Sequence, residues 1–410
     1  MESPEVIILP NGLQVLLVKG PGNGVAHCGL LIGAGTREED KGKEGLAHFI
    51  EHCLFKGTKR RKSYHILNRL ECVGGELNAY TTKEETCLHA SVMEKHLDRA
   101  LELISDIAFH STFPLREIEK EKDVIVDEIH SYEDAPYEQI FDDFEGLLFR
   151  GHPLGHPILG FEQSVRSFRQ KDLREYTNTH YVTGKMVLAV SSGLERREVL
   201  KRIENHFGSL RKKNTVTSRK PALRYRASEQ EVAKQTSQLH HISGRPAYGL
   251  RHPDRYGMIL LNNLLGGPGM NSLLNLNIRE RYGYAYTVES GYHTYTDGGI
   301  FHVYFATDPK HHKKTLELVG KELNKLAEKP ISETRIRQYK EQLIGQIRLA
   351  QENRLSVLLA MSKSQLNLGH VIPLEEIFAR IQSVTTADLK RIAREMFDPA
   401  GTSTLTYMPS

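Results

Sequence analysis

Residues 45–58 read GLAHFIEHCLFKGT, and this stretch constrains the fold more than any other. Leu46, Ala47, Phe49, Ile50, Cys53 and Leu54 cover most of the helix such a run forms, and a helix apolar nearly all round is a buried one. Yet His48, Glu51 and His52 share a sector of about one third of its circumference, with Phe55 completing it. Buried imidazoles and a buried carboxylate cost kilocalories each when left unpaired. A divalent metal held by the two histidines, with the carboxylate beside it, meets that demand. Core histidines with ordinary partners are the plain alternative. With 20 histidines in 410 residues, the pattern should arise by chance in on the order of one such chain in ten or twenty.

The order, H-x-x-E-H, is the inverse of the H-E-x-x-H zinc-peptidase helix. Histidines four apart sit one turn apart and reach one ion, and the glutamate between them is free to handle a water. A second stretch, residues 113–134 (FPLREIEKEKDVIVDEIHSYED), predicts a long amphipathic helix opened by Pro114. Glu128 stands in its apolar stripe beside Val124, Ile125 and Tyr132, and Glu121 lies two turns earlier on nearly the same stripe. Such a placement is unusual for a carboxylate. Glu128 is a candidate third protein ligand, leaving one position for water, and Glu121 a candidate support behind the ligands.

These residues carry a family resemblance. The chain resembles the pitrilysin/insulinase family of inverted-motif zinc metallopeptidases, and within it the short branch similar to the mitochondrial processing peptidase beta subunit and bacterial processing-type peptidases. The segments GLAHFIEHCLFKGT, GGELNAYTTKEET and EKDVIVDE match the family pattern, as does LLGGPGMNSLLNLNIRERYGYAY in the second half. The resemblance implies one zinc per chain on His48, His52 and Glu128, with Glu51 as general base. It further implies that Arg279 and Tyr286 help position substrate, and that the strand ELNAYT offers its edge to peptide backbone at Asn78 and Ala79. One departure concerns the glycine-rich loop: Leu273 follows Ser272 where the family often has an arginine. No substrate contact is carried over to this position.

At 410 residues, two domains are expected rather than one. Strands are predicted at 6–8, 14–18, 26–31, 76–81, 86–92 and 186–191. Helices are predicted at 44–55, 63–72, 94–109, 115–132, 137–149, 170–181 and 195–207. Residues 211–228 (RKKNTVTSRKPALRYRAS) are basic, polar and aperiodic, and read as a linker. The second half repeats the order coarsely. Its strands are predicted at 237–242, 285–292, 300–307 and 403–407, with helices at 256–265, 273–281, 310–328, 333–352, 355–366 and 387–397. Its counterpart of HFIEH is ILLNNLLGG, so it reads as a diverged copy without metal ligands. The expectation is α+β: a catalytic zinc domain over 1–210, then a non-metal domain over 229–410 that contributes to substrate binding.

A net charge of +4 is small for this length and argues for neither nucleic acid nor an anionic membrane. No apolar run approaches a membrane span. The N-terminus lacks the basic start and apolar centre of a signal peptide, so a cytoplasmic location is expected, with the mature form of a targeted protein left open. Four scattered cysteines suggest neither a disulfide framework nor a CxxC metal site.

The functional expectation is a zinc-dependent endopeptidase cleaving extended or unfolded peptides, by metal-activated water, in a chamber formed by dimerisation. The partner is a second copy or a same-fold subunit, because short-branch relatives supply only half of the chamber. The alternative class is a non-catalytic scaffold or partner subunit, as in relatives that keep the fold and lose the motif.

Overall fold

The computed structural model describes residues 4–212, 219, 221 and 225–410. Eleven strands among these form two sheets. The strands are β1 (Glu5–Ile8), β2 (Gln14–Lys19), β3 (Val25–Ile32), β4 (Glu76–Thr81), β5 (Thr86–Met93), β6 (Met186–Ser192), β7 (Glu229–Lys234), β8 (Leu239–Ala247), β9 (Ala285–Thr294), β10 (Gly299–Thr307) and β11 (Ser403–Pro409). The first sheet runs β1-β2-β6-β3-β5-β4, antiparallel except for the parallel pair β2/β6. The second runs β7-β11-β8-β10-β9, antiparallel except for the parallel pair β7/β11. Leaving β1 aside, the two sheets share strand order and direction. The architecture is α+β, and the second half repeats the topology of the first.

Both faces of each sheet are covered, which explains why central strands such as β6 (MVLAVSS) are buried throughout. In the first sheet, Val15, Leu30, Leu88 and Leu188 face a core shared with the helices Leu46–Leu54 and Leu97–His110. Their neighbours Leu16, Val187 and Ala189 face the opposite way, against Leu358 and Met361 of helix Arg354–Leu368. In the second sheet, Ile242, Tyr304 and Tyr407 pack on Ile140 and Phe144 of helix Pro136–Leu148. Its other face meets Leu260, Leu261 and Leu264 of helix Arg255–Gly266.

Two compact units result, and neither is one continuous stretch of chain. The first comprises Met1–His130, His156–Lys220 and Gln351–Pro373; the second takes Ser131–Gly155, Pro221–Ala350 and Leu374–Ser410. This partition differs from a linear cut at 210 and 229: each half lends one helix to the other's sheet. Periodicity identifies those helices but not the sheet each one covers.

Other differences are local. Strand β7 (EQEVAK) escapes prediction because an edge strand rich in charge lacks an apolar alternation. The helices Glu162–Ser167 and Leu374–Ser383 also fall outside the predicted elements, and residues 275–280 form a π-helical segment in place of α-helix. The expected linker falls partly on 213–218, 220 and 222–224, which lie outside the described residues. Arg219 is held by Glu38 at 2.6 Å. Among the described residues no helix is long and apolar enough to cross a membrane.

Candidate metal centre

The helix Leu46–Leu54 begins at Gly45, whose φ of +91° only glycine adopts without strain. The backbone of Leu159 and Gly160 presses where a Cβ would sit. The helix buries Phe49, Ile50, Cys53 and Leu54 in the core and packs on β4. Its remaining sector turns His48, Glu51 and His52 towards helix Leu115–Glu133.

There, His48 Nε2 lies 3.9 Å from Glu128 Oε1, and His52 Nε2 lies 3.7 Å from Glu128 Oε2. The two imidazole centroids are 4.7 Å apart. Ligand atoms of His48, His52 and Glu128 all fall within 4.8 Å of one another, the one such cluster among the described residues. Adjacent ligands of a tetrahedral zinc, with bonds of about 2.1 Å, stand about 3.4 Å apart. The two histidine–carboxylate separations exceed that by a few tenths of an ångström, and no pair of the three ligand atoms is more than 4.8 Å apart. Two neutral imidazole nitrogens and one carboxylate oxygen are a donor set that zinc accepts, with a fourth position open.

The surroundings suit ligands. Burial, followed by the neighbouring charge of His52, pushes the His48 imidazole down to about 3, which keeps it neutral. His52 Nδ1 meets Glu121 Oε2 at 3.3 Å, and Lys56 Nζ meets Glu121 Oε1 at 2.6 Å. With Nδ1 committed to Glu121, Nε2 is left to face Glu128; metal-binding histidines are commonly oriented by such a carboxylate. Burial pulls His52 downward, but the Glu121 hydrogen bond and the charges of Glu128, Glu121 and Glu51 together raise it. Burial opposes ionisation of Glu121, yet His52 and Lys56 hold its carboxyl below the usual range. Lys56, four residues beyond His52, carries no signal in the sequence beyond that spacing.

Glu51 points into the same region. Burial raises its carboxyl, the Thr81 hydroxyl and His52 oppose that, and Glu128 adds to it. Three buried polar atoms here, Glu51 Oε2, His48 Nδ1 and the neighbouring Thr81 Oγ1, meet no hydrogen-bond partner of good geometry among the described residues. Glu51 Oε2 is thereby free to handle a proton beside the cluster, while His48 faces Glu128 through its other ring nitrogen, Nε2.

Helix Leu115–Glu133 differs from its expected pattern in one respect. Its buried stripe is Ile118, Glu121, Ile125, Val126 and Ile129, while Val124 is 48% exposed. Glu128 therefore sits on the shoulder of the stripe, half-exposed. A site that must admit a substrate needs such an open side.

The candidate substrate residues fall in two places. Asn78 and Ala79 lie on β4, which pairs with β5 alone and so forms a sheet edge. Asn78 is exposed, and its side-chain oxygen accepts the Ala79 N–H at 2.8 Å. In the second unit, the Arg279 guanidinium stacks 5.7 Å from the Tyr286 ring centroid, and Tyr286 is 76% exposed. Tyr286 stands near the start of β9, the edge strand whose place in the second sheet matches that of β4. The helix Arg255–Gly266, which packs on β9, carries no histidine. Instead Asn263 donates to Gln346 at 2.8 Å, and Asn271 donates to Gln342 at 2.9 Å. Neutral amide pairs thus join this helix, and the loop that follows it, to the neighbouring helix Glu333–Ala350.

Comparison with known proteins agrees with this division. Residues 14–162 match the model of the insulinase family, peptidase family M16, and residues 167–343 match that of the peptidase M16 inactive domain. The chain is 33% identical to "Uncharacterized zinc protease YmxG" of Bacillus subtilis, over 94% of both chains. It is 32% identical to an "Uncharacterized zinc protease" of Rickettsia bellii, over 98% of this chain and 97% of the other. A crystal structure of a protease from Helicobacter pylori shares the fold over 100% of both chains, with a TM-score of 0.93 at 22% identity. Sequence matches that span nearly the whole length of both chains leave no doubt about kinship: this chain belongs to the insulinase family, peptidase family M16.

Proposed function

We propose that the chain is a zinc-dependent endopeptidase that cleaves extended or unfolded peptides in a chamber formed by dimerisation. The observation that carries this reading is the convergence of His48, His52 and Glu128 beside Glu51, whose buried Oε2 has no partner among the described residues. The zinc protease names of its relatives support the same reading. His48, His52 and Glu128 would hold the zinc, which would supply Lewis acidity to a peptide carbonyl and lower the pKa of a water.

The remaining steps belong to the protein. Glu51 accepts a proton from the attacking water as the new C–O bond forms, then delivers it to the amide nitrogen as the C–N bond breaks. Glu121, braced by Lys56, fixes the His52 ring. The free edge of β4 offers main-chain pairing to an extended peptide, with Asn78 swinging off the Ala79 amide to admit it. Backbone pairing of this kind reads shape more than sequence, which suits unfolded substrates. Arg279 and Tyr286 are assigned to orienting substrate, the role the family resemblance implies for them. The chamber is completed by a second copy or a same-fold subunit.

The test is cleavage of an unstructured peptide library by wild type and Glu51→Gln in parallel, with chelator inhibition and rescue by added zinc. Wild type should cut and recover with zinc, and Glu51→Gln should keep zinc while losing nearly all turnover. A Glu51→Gln enzyme at full rate would overturn the base assignment. A zinc-loaded wild type, dimeric by light scattering and inert on every peptide, would favour the non-catalytic partner role.

A further inference from the structure

Helix Leu46–Leu54 has no ordinary N-terminal cap, since Gly45 at the cap position has no side chain to offer. Its first amides are satisfied from elsewhere. Glu39 Oε2 accepts the Gly45 N–H at 2.9 Å, and Glu39 Oε1 accepts the Ala47 N–H at 2.8 Å. The carboxylate thus grips both sides of the first turn, one residue before His48. It is buried, at 8% exposure.

The segment bearing Glu39 is itself anchored to the strand hairpin beside the site. The Thr36 N–H donates to the Thr82 carbonyl at 3.1 Å, and the Arg37 N–H to the Lys83 carbonyl at 2.7 Å. Arg37 also pairs with Glu84 at 2.6 Å. Thr82, Lys83 and Glu84 form the turn joining β4 to β5. One short segment therefore ties the start of the metal-facing helix to the turn of the edge strand.

We infer that Glu39 is a positioning residue for the centre: by clamping Gly45 and Ala47 it sets the rotation and height of the helix, and so where His48 and His52 point. Rotating this helix by one residue's 100° would take both imidazoles off the sector facing Glu128. A helix dipole also favours a carboxylate at this end, but two direct hydrogen bonds make the clamp directional. This role rests on the metal centre proposed above. Neighbouring Glu38 supplies the contrast. It caps Gly35 at 2.8 Å and holds Arg219 without touching the helix.

The experiment measures zinc affinity by chelator competition, and kcat and KM on a peptide, for wild type, Glu39→Gln, Glu39→Asp and Glu38→Gln. Thermal melts run alongside. Glu39→Gln should bind zinc about 10- to 100-fold more weakly, in the range seen when groups supporting metal ligands are lost. Its kcat should fall at an unchanged KM, with Glu39→Asp recovering part of the loss. Glu38→Gln should lower the melting temperature yet hold zinc within twofold of wild type. A folded Glu39→Gln protein with wild-type zinc affinity overturns the inference, as does an equal loss in Glu38→Gln. Failure of both Glu39 variants to melt cooperatively also counts against it, since the acid would then support the whole unit. Absence of zinc binding by wild type would instead refute the metal centre.

Discussion

Glu121→Gln probes the support behind His52 most sharply. The carboxylate is 5% exposed and receives two charged or polarised donors, His52 Nδ1 at 3.3 Å and Lys56 Nζ at 2.6 Å. An amide of the same shape has one acceptor oxygen and one donor nitrogen, so one of those two donors must face an N–H instead. A lost hydrogen bond to a charged group is worth about 1.5–3 kcal/mol. If most of that loss appears in the metal-bound state, zinc affinity falls roughly 10- to 100-fold, which is about 1.4–2.7 kcal/mol. The two routes to the magnitude agree. Competition titration against a chromophoric chelator at neutral pH reads it directly. Lys56→Met, which leaves the carboxylate on His52, should weaken zinc less than Glu121→Gln. Wild-type affinity in Glu121→Gln, or a larger loss in Lys56→Met, would refute the reasoning.

The second unit offers two further tests. His241 and His302 are both held down to about 3, chiefly by burial and secondly by His312 and His293 respectively. An unfolded histidine titrates near 6.5, so between that value and about 3 only the unfolded chain takes up the proton, and stability falls as the pH falls. From pH 7 to pH 5 each histidine should cost about 2 kcal/mol. Urea titrations at the two pH values measure the loss, and His241→Gln should remove about 2 kcal/mol of it. A midpoint that does not move between pH 7 and pH 5 would contradict the assignment. For the amide pair, Asn263→Leu strands Gln346 and should cost about 1–3 kcal/mol, and adding Gln346→Leu should recover most of it. Purely additive losses in that double-mutant cycle would show the pair to be uncoupled.

Much of the candidate centre is legible in the sequence because its chemistry conflicts with its pattern. His48, Glu51, His52 and Glu121 are polar residues on faces that periodicity assigns to the core, and the structure does bury or half-bury them there. Glu128 was read by the same logic, yet it lies at the border of the stripe, because exposure of Val124 and Tyr132 depends on what covers that face. Strands with apolar alternation are recovered almost to the residue, as at β4 and β5, whereas the charged edge strand β7 is invisible to that signal. The helix exchange is illegible for a different reason. Helices Pro136–Leu148 and Arg354–Leu368 show an ordinary share of apolar residues, and nothing local says which sheet receives them. Glu39 is equally silent, since a glutamate seven residues before a helix looks like any loop carboxylate until its two hydrogen bonds are seen.

Anomalous diffraction at the zinc edge, from crystals of the protein grown with one equivalent of zinc, tests the central claim most directly. The expected result is a single strong peak per chain, roughly 2.0–2.2 Å from His48 Nε2, His52 Nε2 and a carboxylate oxygen of Glu128. A map with no peak among those three side chains, or with zinc held elsewhere while Glu128 turns away, would contradict it.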